Sequence, residues 1–87
     1  MDKIRILITD DHPVVVEGLS GMLAGQADFE VIGLAADGDT AVKMHGSLDP
    51  DVTLMDLRMP GLDGVGAIKA IKAQQPSSRI IVLTTYD

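Results

Sequence analysis

The chain contains no cysteine and no tryptophan, and only one phenylalanine and one tyrosine. Without cysteine there is no disulfide framework, no thiolate nucleophile and no thiolate metal site. The missing thiols fit a cytoplasmic protein. With so few aromatics, any core has to be built from Val, Ile, Leu, Met and Ala. Basic residues are also scarce: seven Lys and Arg stand against thirteen Asp and Glu, for a net charge of −6. That balance argues against direct binding to nucleic acid, which needs a basic footprint, and against docking on an anionic membrane. No run reaches the ~18 apolar residues of a membrane span. The first residues carry Asp2, Lys3 and Arg5 in place of the apolar core of a signal peptide.

What is present is apolar and patterned. At 46% hydrophobic residues, 87 positions suffice for one small domain. A chain of this size buries roughly 60–65% of its unfolded surface. Two stretches organise it. In Asp51-Val-Thr-Leu-Met-Asp56 an apolar run ends on a carboxylate, and Pro60-Gly61 follows as a turn signal. In Ile4-Arg-Ile-Leu-Ile-Thr-Asp10-Asp11-His12-Pro13 a second apolar run ends on two acids, and Pro13 suits the first turn of a helix. Both runs read as buried strands of a parallel sheet. Their acids then lie at the carboxyl ends, where open α/β sheets bind ligands.

In chain order, the pattern predicts a strand over 3–9 and a helix from Pro13 to Gly25, with Asp11 or His12 as its cap. Val15, Val16, Leu19, Met22 and Leu23 recur at helical spacing. Gly18 and Gly21 interrupt this helix at a cost of about 1 kcal/mol each, and close packing on the sheet is the expected reason for them. A strand over Phe29–Ala36 follows. Asp37-Gly38-Asp39 caps a helix over 40–48, with Val42, His45 and Leu48 inward, and Asp49-Pro50 stops it. A strand over 51–56, a loop over 57–63, a helix over 64–75 with Val65, Ile68 and Ile71 inward, and a strand over 79–84 complete the order βαβαβαβ. Strands alternating with helices mean parallel units with right-handed crossovers. No internal repeat, low-complexity segment or linker interrupts them.

Several residues invite a sharper reading than they support. His12 reads as a capping or surface histidine rather than a base or a ligand, and His45 as a half-buried helix residue. Gly61-Leu-Asp-Gly64-Val-Gly66 does not match the dinucleotide fingerprint and reads as turn and helix-start chemistry. Met22, Met44, Met55 and Met59 read as core fillers.

Taken together, Asp10-Asp11, the segment Leu-Met-Asp56-Leu-Arg-Met-Pro-Gly-Leu-Asp-Gly, and Thr84 after Ile-Ile-Val-Leu resemble the receiver domain of two-component response regulators. Asp10-Asp11-His12-Pro13 and Leu48 to Asp56 are similar to the NarL/FixJ (LuxR-type) transcription-factor subfamily. The resemblance covers the whole chain, residues 1–87. It implies a CheY-like, flavodoxin-like α/β sheet of order 2-1-3-4. It implies Asp56 as phosphoacceptor, with Mg²⁺ held by Asp11, Asp56 and the backbone carbonyl of Arg58, and by Asp10 through water. Thr84 would hydrogen-bond the phosphoryl group and act as the switch residue. The implied phosphoryl donor is a sensor histidine kinase, and DNA is reached only through an output domain outside this chain. The only catalysis implied is of the domain's own phosphorylation and dephosphorylation, so the chain is not read as an enzyme in the ordinary sense.

Three carboxylates together repel one another, so the site costs stability unless a cation is present. The chain also departs from the family pattern. It is read as only the N-terminal part of a receiver, lacking the fourth helix, the fifth strand and the fifth helix. The lysine that follows the fifth strand has no counterpart, because Lys3, Lys43, Lys69 and Lys72 lie elsewhere. The fourth strand would then be an apolar sheet edge, which invites pairing with another chain. A homo-oligomer through that edge or a bare sheet face is therefore expected. A receiver-shaped interaction module that does not signal by phosphate is the second reading.

Overall fold

The computed structural model describes residues 3–58 and 63–83. The elements are β1 (Ile4–Thr9), α1 (Pro13–Ala24), β2 (Phe29–Ala35), α2 (Gly38–Leu48), β3 (Val52–Asp56), α3 (Gly64–Gln74) and β4 (Ile80–Leu83). All pairings are parallel and the sheet order is β2-β1-β3-β4, so the expected α/β fold and strand order hold. The order follows from crossover handedness. One right-handed crossover carries the chain to one side of β1 through α1, and the next two carry it to the other side through α2 and α3. The helices therefore fall on opposite faces of the sheet.

The face under α2 and α3 holds the core. Ala35, Ala41, Met55, Ala67 and Ile71 are buried together, with Val42, Met44, Ile68 and Ile80 packed around them. At Gly33 in β2, a Cβ would meet Met44, Leu48 and Leu7. The glycine lets α2 settle close on the sheet. The helix then ends at Asp49, which takes a left-handed conformation (φ 49°) ahead of Pro50.

Four expectations need correction. α1 forms where its spacing predicts, but it buries no residue and Met22 is 72% exposed. A Cβ at Gly18 or Gly21 would meet nothing within 4 Å, so close packing does not explain them. In α3, Val65 turns outward and Ala67 takes its place in the core, because the 3.6-residue period places residue 67, not 65, on the face shared with Ile71. His45 is fully buried rather than half-buried. Met55 and Met44 fill the core as expected, while Met59 lies outside the described residues.

Candidate phosphoacceptor and cation site

The register brings the two acidic strand ends together. Thr9 of β1 pairs with Met55 of β3, so the next residues, Asp10 and Asp56, leave neighbouring strands side by side at the same rim. Asp10 is held there by its backbone N–H, which donates to the Ala35 carbonyl at 3.0 Å. Asp56 is the last residue of β3 and is paired with Leu83 of β4. Both are buried, at 2% and 1% exposure. Asp11 stands at the rim, and its side chain is 32% exposed.

Each buried carboxylate is half satisfied. Oδ1 of Asp10 accepts from the His12 backbone N–H at 2.8 Å and lies 2.7 Å from His12 Nδ1. Oδ1 of Asp56 accepts from the Arg58 backbone N–H at 3.1 Å, which folds the start of the loop over the strand end. The two Oδ2 atoms, of Asp10 and Asp56, are buried and have no hydrogen-bond partner among the described residues. A buried acceptor without a donor is costly unless an ion or water completes it. Asp10, Asp11, His12 and Asp56 each offer one ligand atom, and the four atoms lie within 4.8 Å of one another. The residues present fit a divalent cation.

His12 occupies the N-cap position of α1, but its side chain makes no capping hydrogen bond. The helix start is held instead by the His12 carbonyl, which accepts from the Val16 N–H. The ring turns into the cluster, with Nδ1 2.7 Å from Asp10, 3.2 Å from Asp11 and 3.5 Å from Asp56. The hydrogen bond to Asp10, reinforced by all three carboxylates, raises its pKa above 6.5 against the opposing effect of burial. From sequence alone His12 reads as a surface or capping residue. The signal that could have placed it is its position two residues after a strand-end acid and directly before Pro13, a spacing that folds the ring back onto Asp10.

Thr84 lies outside the described residues, as does most of the loop after Arg58. A larger cleft of about 440 Å³ opens among Asp49, Asp51, Gln75 and Arg79, away from the cluster. Its acids already have donors: Asp51 accepts from the Arg5 backbone N–H and Asp49 from the Gln75 side chain, both at 2.8 Å. Among the described residues, the buried carboxylate oxygens without a hydrogen-bond donor are at the Asp10–Asp56 rim.

Residues 6–87 match the response regulator receiver domain. This chain belongs to that family. Among curated relatives of the receiver chain, the transcriptional regulatory protein LiaR of Bacillus subtilis is 48% identical over 83 residues, which cover 95% of this chain and 39% of LiaR. The receiver chain thus spans about two fifths of the length of the curated relatives it matches. Among solved structures, the signal receiver domain of a NarL response regulator from Mycobacterium tuberculosis superposes with a TM-score of 0.93. It is 33% identical and matches all of this chain and 70% of that one. CheY in a CheX–CheY–BeF3–Mg²⁺ complex from Borrelia burgdorferi superposes at 0.87, with 28% identity over 93% of this chain and 61% of that one.

Proposed function

We propose that this receiver domain accepts a phosphoryl group on Asp56 from the phosphohistidine of a sensor histidine kinase. The observation that carries the reading is the buried Oδ2 of Asp56, which accepts no hydrogen bond among the described residues and has the His12 ring 3.5 Å away, set beside Asp10 and Asp11 at one sheet rim. That oxygen accepts no hydrogen bond, while Oδ1 is fixed by the Arg58 N–H. In the transfer, Asp56 forms a carboxyl O–P bond and the donor P–N bond breaks. The electron pair returns to the donor imidazole. Asp10, Asp11, Asp56 and the Arg58 carbonyl are the proposed Mg²⁺ ligands. Mg²⁺ suits oxygen donors and, when bound, neutralises the phosphoryl oxygens. A relative was solved with BeF3 and Mg²⁺, which supports the same pairing here. Thr84 is the proposed hydrogen-bond donor to the phosphoryl group. Regulation of transcription would follow through an output domain, as the description of LiaR as a transcriptional regulatory protein supports. We further propose that the chain works in the cytoplasm, that it turns over only its own phosphoryl group, and that copies of it associate.

The test is incubation with acetyl phosphate and Mg²⁺, read by intact mass. One phosphoryl group is expected on the wild type and none on Asp56→Asn. An unmodified wild type, or equal uptake by Asp56→Asn, overturns the reading.

A further inference from the structure

The imidazole of His12 has no part in the phosphoryl transfer described above, yet it is the group most nearly surrounded by carboxylates. Its Nδ1 lies 2.7, 3.2 and 3.5 Å from oxygens of Asp10, Asp11 and Asp56. Two neighbouring ligands on one ion, with metal–ligand bonds of about 2.0–2.2 Å, stand ~2.8–3.1 Å apart in octahedral geometry and ~3.3–3.6 Å apart in tetrahedral geometry. The nitrogen is thus near ligand-to-ligand distance from the Asp11 and Asp56 oxygens, and sits closer, at hydrogen-bond distance, to Asp10 Oδ1. Two further features point to a cation at this spot. The Oδ2 atoms of Asp10 and Asp56 are buried without a donor, on side chains that are 0% and 1% exposed. The His12 ring is itself half exposed, so it has room to adjust, while its backbone is pinned by the N–H bond to Asp10 and by Pro13.

We propose that His12 is a metal ligand, and that its nitrogen extends the pocket's choice from Mg²⁺ to divalent transition ions, Zn²⁺ foremost. This rests on the reading of Asp10, Asp11 and Asp56 as a cation pocket. Oxygen-only sites suit Mg²⁺, whereas imidazole favours Zn²⁺, Co²⁺ and Ni²⁺ over it. One nitrogen with three carboxylates is a donor set of the kind Zn²⁺ takes. As the metal–nitrogen bond forms, Nδ1 gives up any proton it carries to solvent, and Asp10 keeps the hydrogen bond from the His12 backbone N–H.

The test is calorimetric titration of the whole chain with Zn²⁺ and, separately, with Mg²⁺, for the wild type, His12→Ala, His12→Asn and Asp10→Asn. Circular dichroism checks that each variant is folded, and ¹⁵N spectra of the imidazoles report which ring binds. The wild type should bind Zn²⁺ at least ~10-fold more tightly than Mg²⁺, and Zn²⁺ should shift the Nδ1 resonance of His12. His12→Ala and His12→Asn should lose ~10–100-fold in Zn²⁺ affinity while Mg²⁺ affinity holds within about threefold. Zn²⁺ binding that is indifferent to His12, or that shifts only His45, overturns the inference. So does Mg²⁺ binding that tightens strongly in His12→Ala, because the ring would then be an obstacle and not a ligand. Mg²⁺ binding that is lost in Asp10→Asn, together with His12-independent Zn²⁺ binding, removes this inference alone. A wild type that takes up neither ion removes it together with the cation pocket beneath it.

Discussion

Gly64 shows how much of the site hangs on a missing side chain. A Cβ at this position would fall on the carbonyl oxygen of Asp56 and the Cα of Leu57. Those atoms are backbone and cannot rotate aside. The Gly64 N–H also donates to the Leu57 carbonyl at 3.3 Å, so the first turn of α3 rests directly on the end of β3. Gly64→Ala should cost ~1–3 kcal/mol, the usual range for overpacking, and should lower phosphoryl uptake by displacing Asp56. Denaturant unfolding and intact mass would read the two effects. In the sequence, Gly64 reads as turn chemistry. The crowding comes from residues seven and eight positions earlier, which no local pattern reports.

His45 carries a pH dependence of definite sign. Burial lowers its pKa below the ordinary 6.5, and Asp49 opposes this only in part. The unfolded chain therefore binds the proton more readily than the folded one, and stability rises with pH across that interval. The contribution is complete above pH 6.5 and is lost as pH falls through the lower, folded-state value. Melts of the wild type and of His45→Leu, compared between pH 7.5 and 5, should show a steeper acid loss in the wild type. Parallel curves would exclude this origin.

At the scale of elements, α1 differs most from its sequence. Its apolar spacing specifies a helix, and a helix is what forms. Spacing shows which residues share a stripe, however, and not how much of that stripe a neighbour covers. No residue of α1 is fully buried, though Val15, Val16, Leu19 and Leu23 are half-buried, and its two internal glycines face open space. They therefore weaken the helix without packing in return. Gly18→Ala and Gly21→Ala should each stabilise the fold by ~0.5–1 kcal/mol, at ~4–8 °C of melting temperature per kcal/mol in a domain of this size. Gly64→Ala is the control of opposite sign, since its Cβ would press on the backbone of Asp56 and Leu57. The strands were more legible than α1 because parallel strands covered by helices read as continuous apolar runs. Their ends mattered most: the acids closing β1 and β3 are the residues the site is built from. That β1 and β3 are neighbours could not be read from spacing. It depended on the strand order implied by the family resemblance, which the register of Thr9 with Met55 now shows directly.

At the scale of the whole molecule, the two faces of the sheet are unequally covered. In register across the α1 face lie Leu34, Ile8, Leu54 and Ile81, one from each strand. Ile8 is completely buried, but Leu34 and Ile81 at the two ends are 51% and 55% exposed. Val14 and Met22 of α1 add exposed apolar surface, at 82% and 72%. Val82, on the opposite face of β4, is 43% exposed, and β4 is an edge of the sheet among the described residues. An apolar row open at both ends beside an unpaired strand edge favours association, because contact removes apolar area from water and satisfies edge amides together. The chain should therefore show a mass above its 9.2 kDa by light scattering, rising with concentration. Leu34→Lys with Ile81→Lys, both at exposed positions, should return it to a monomer without unfolding it. A wild type that stays monomeric across the concentration range would mean that α1 alone shields this face, and that the exposed row is tolerated by the isolated chain.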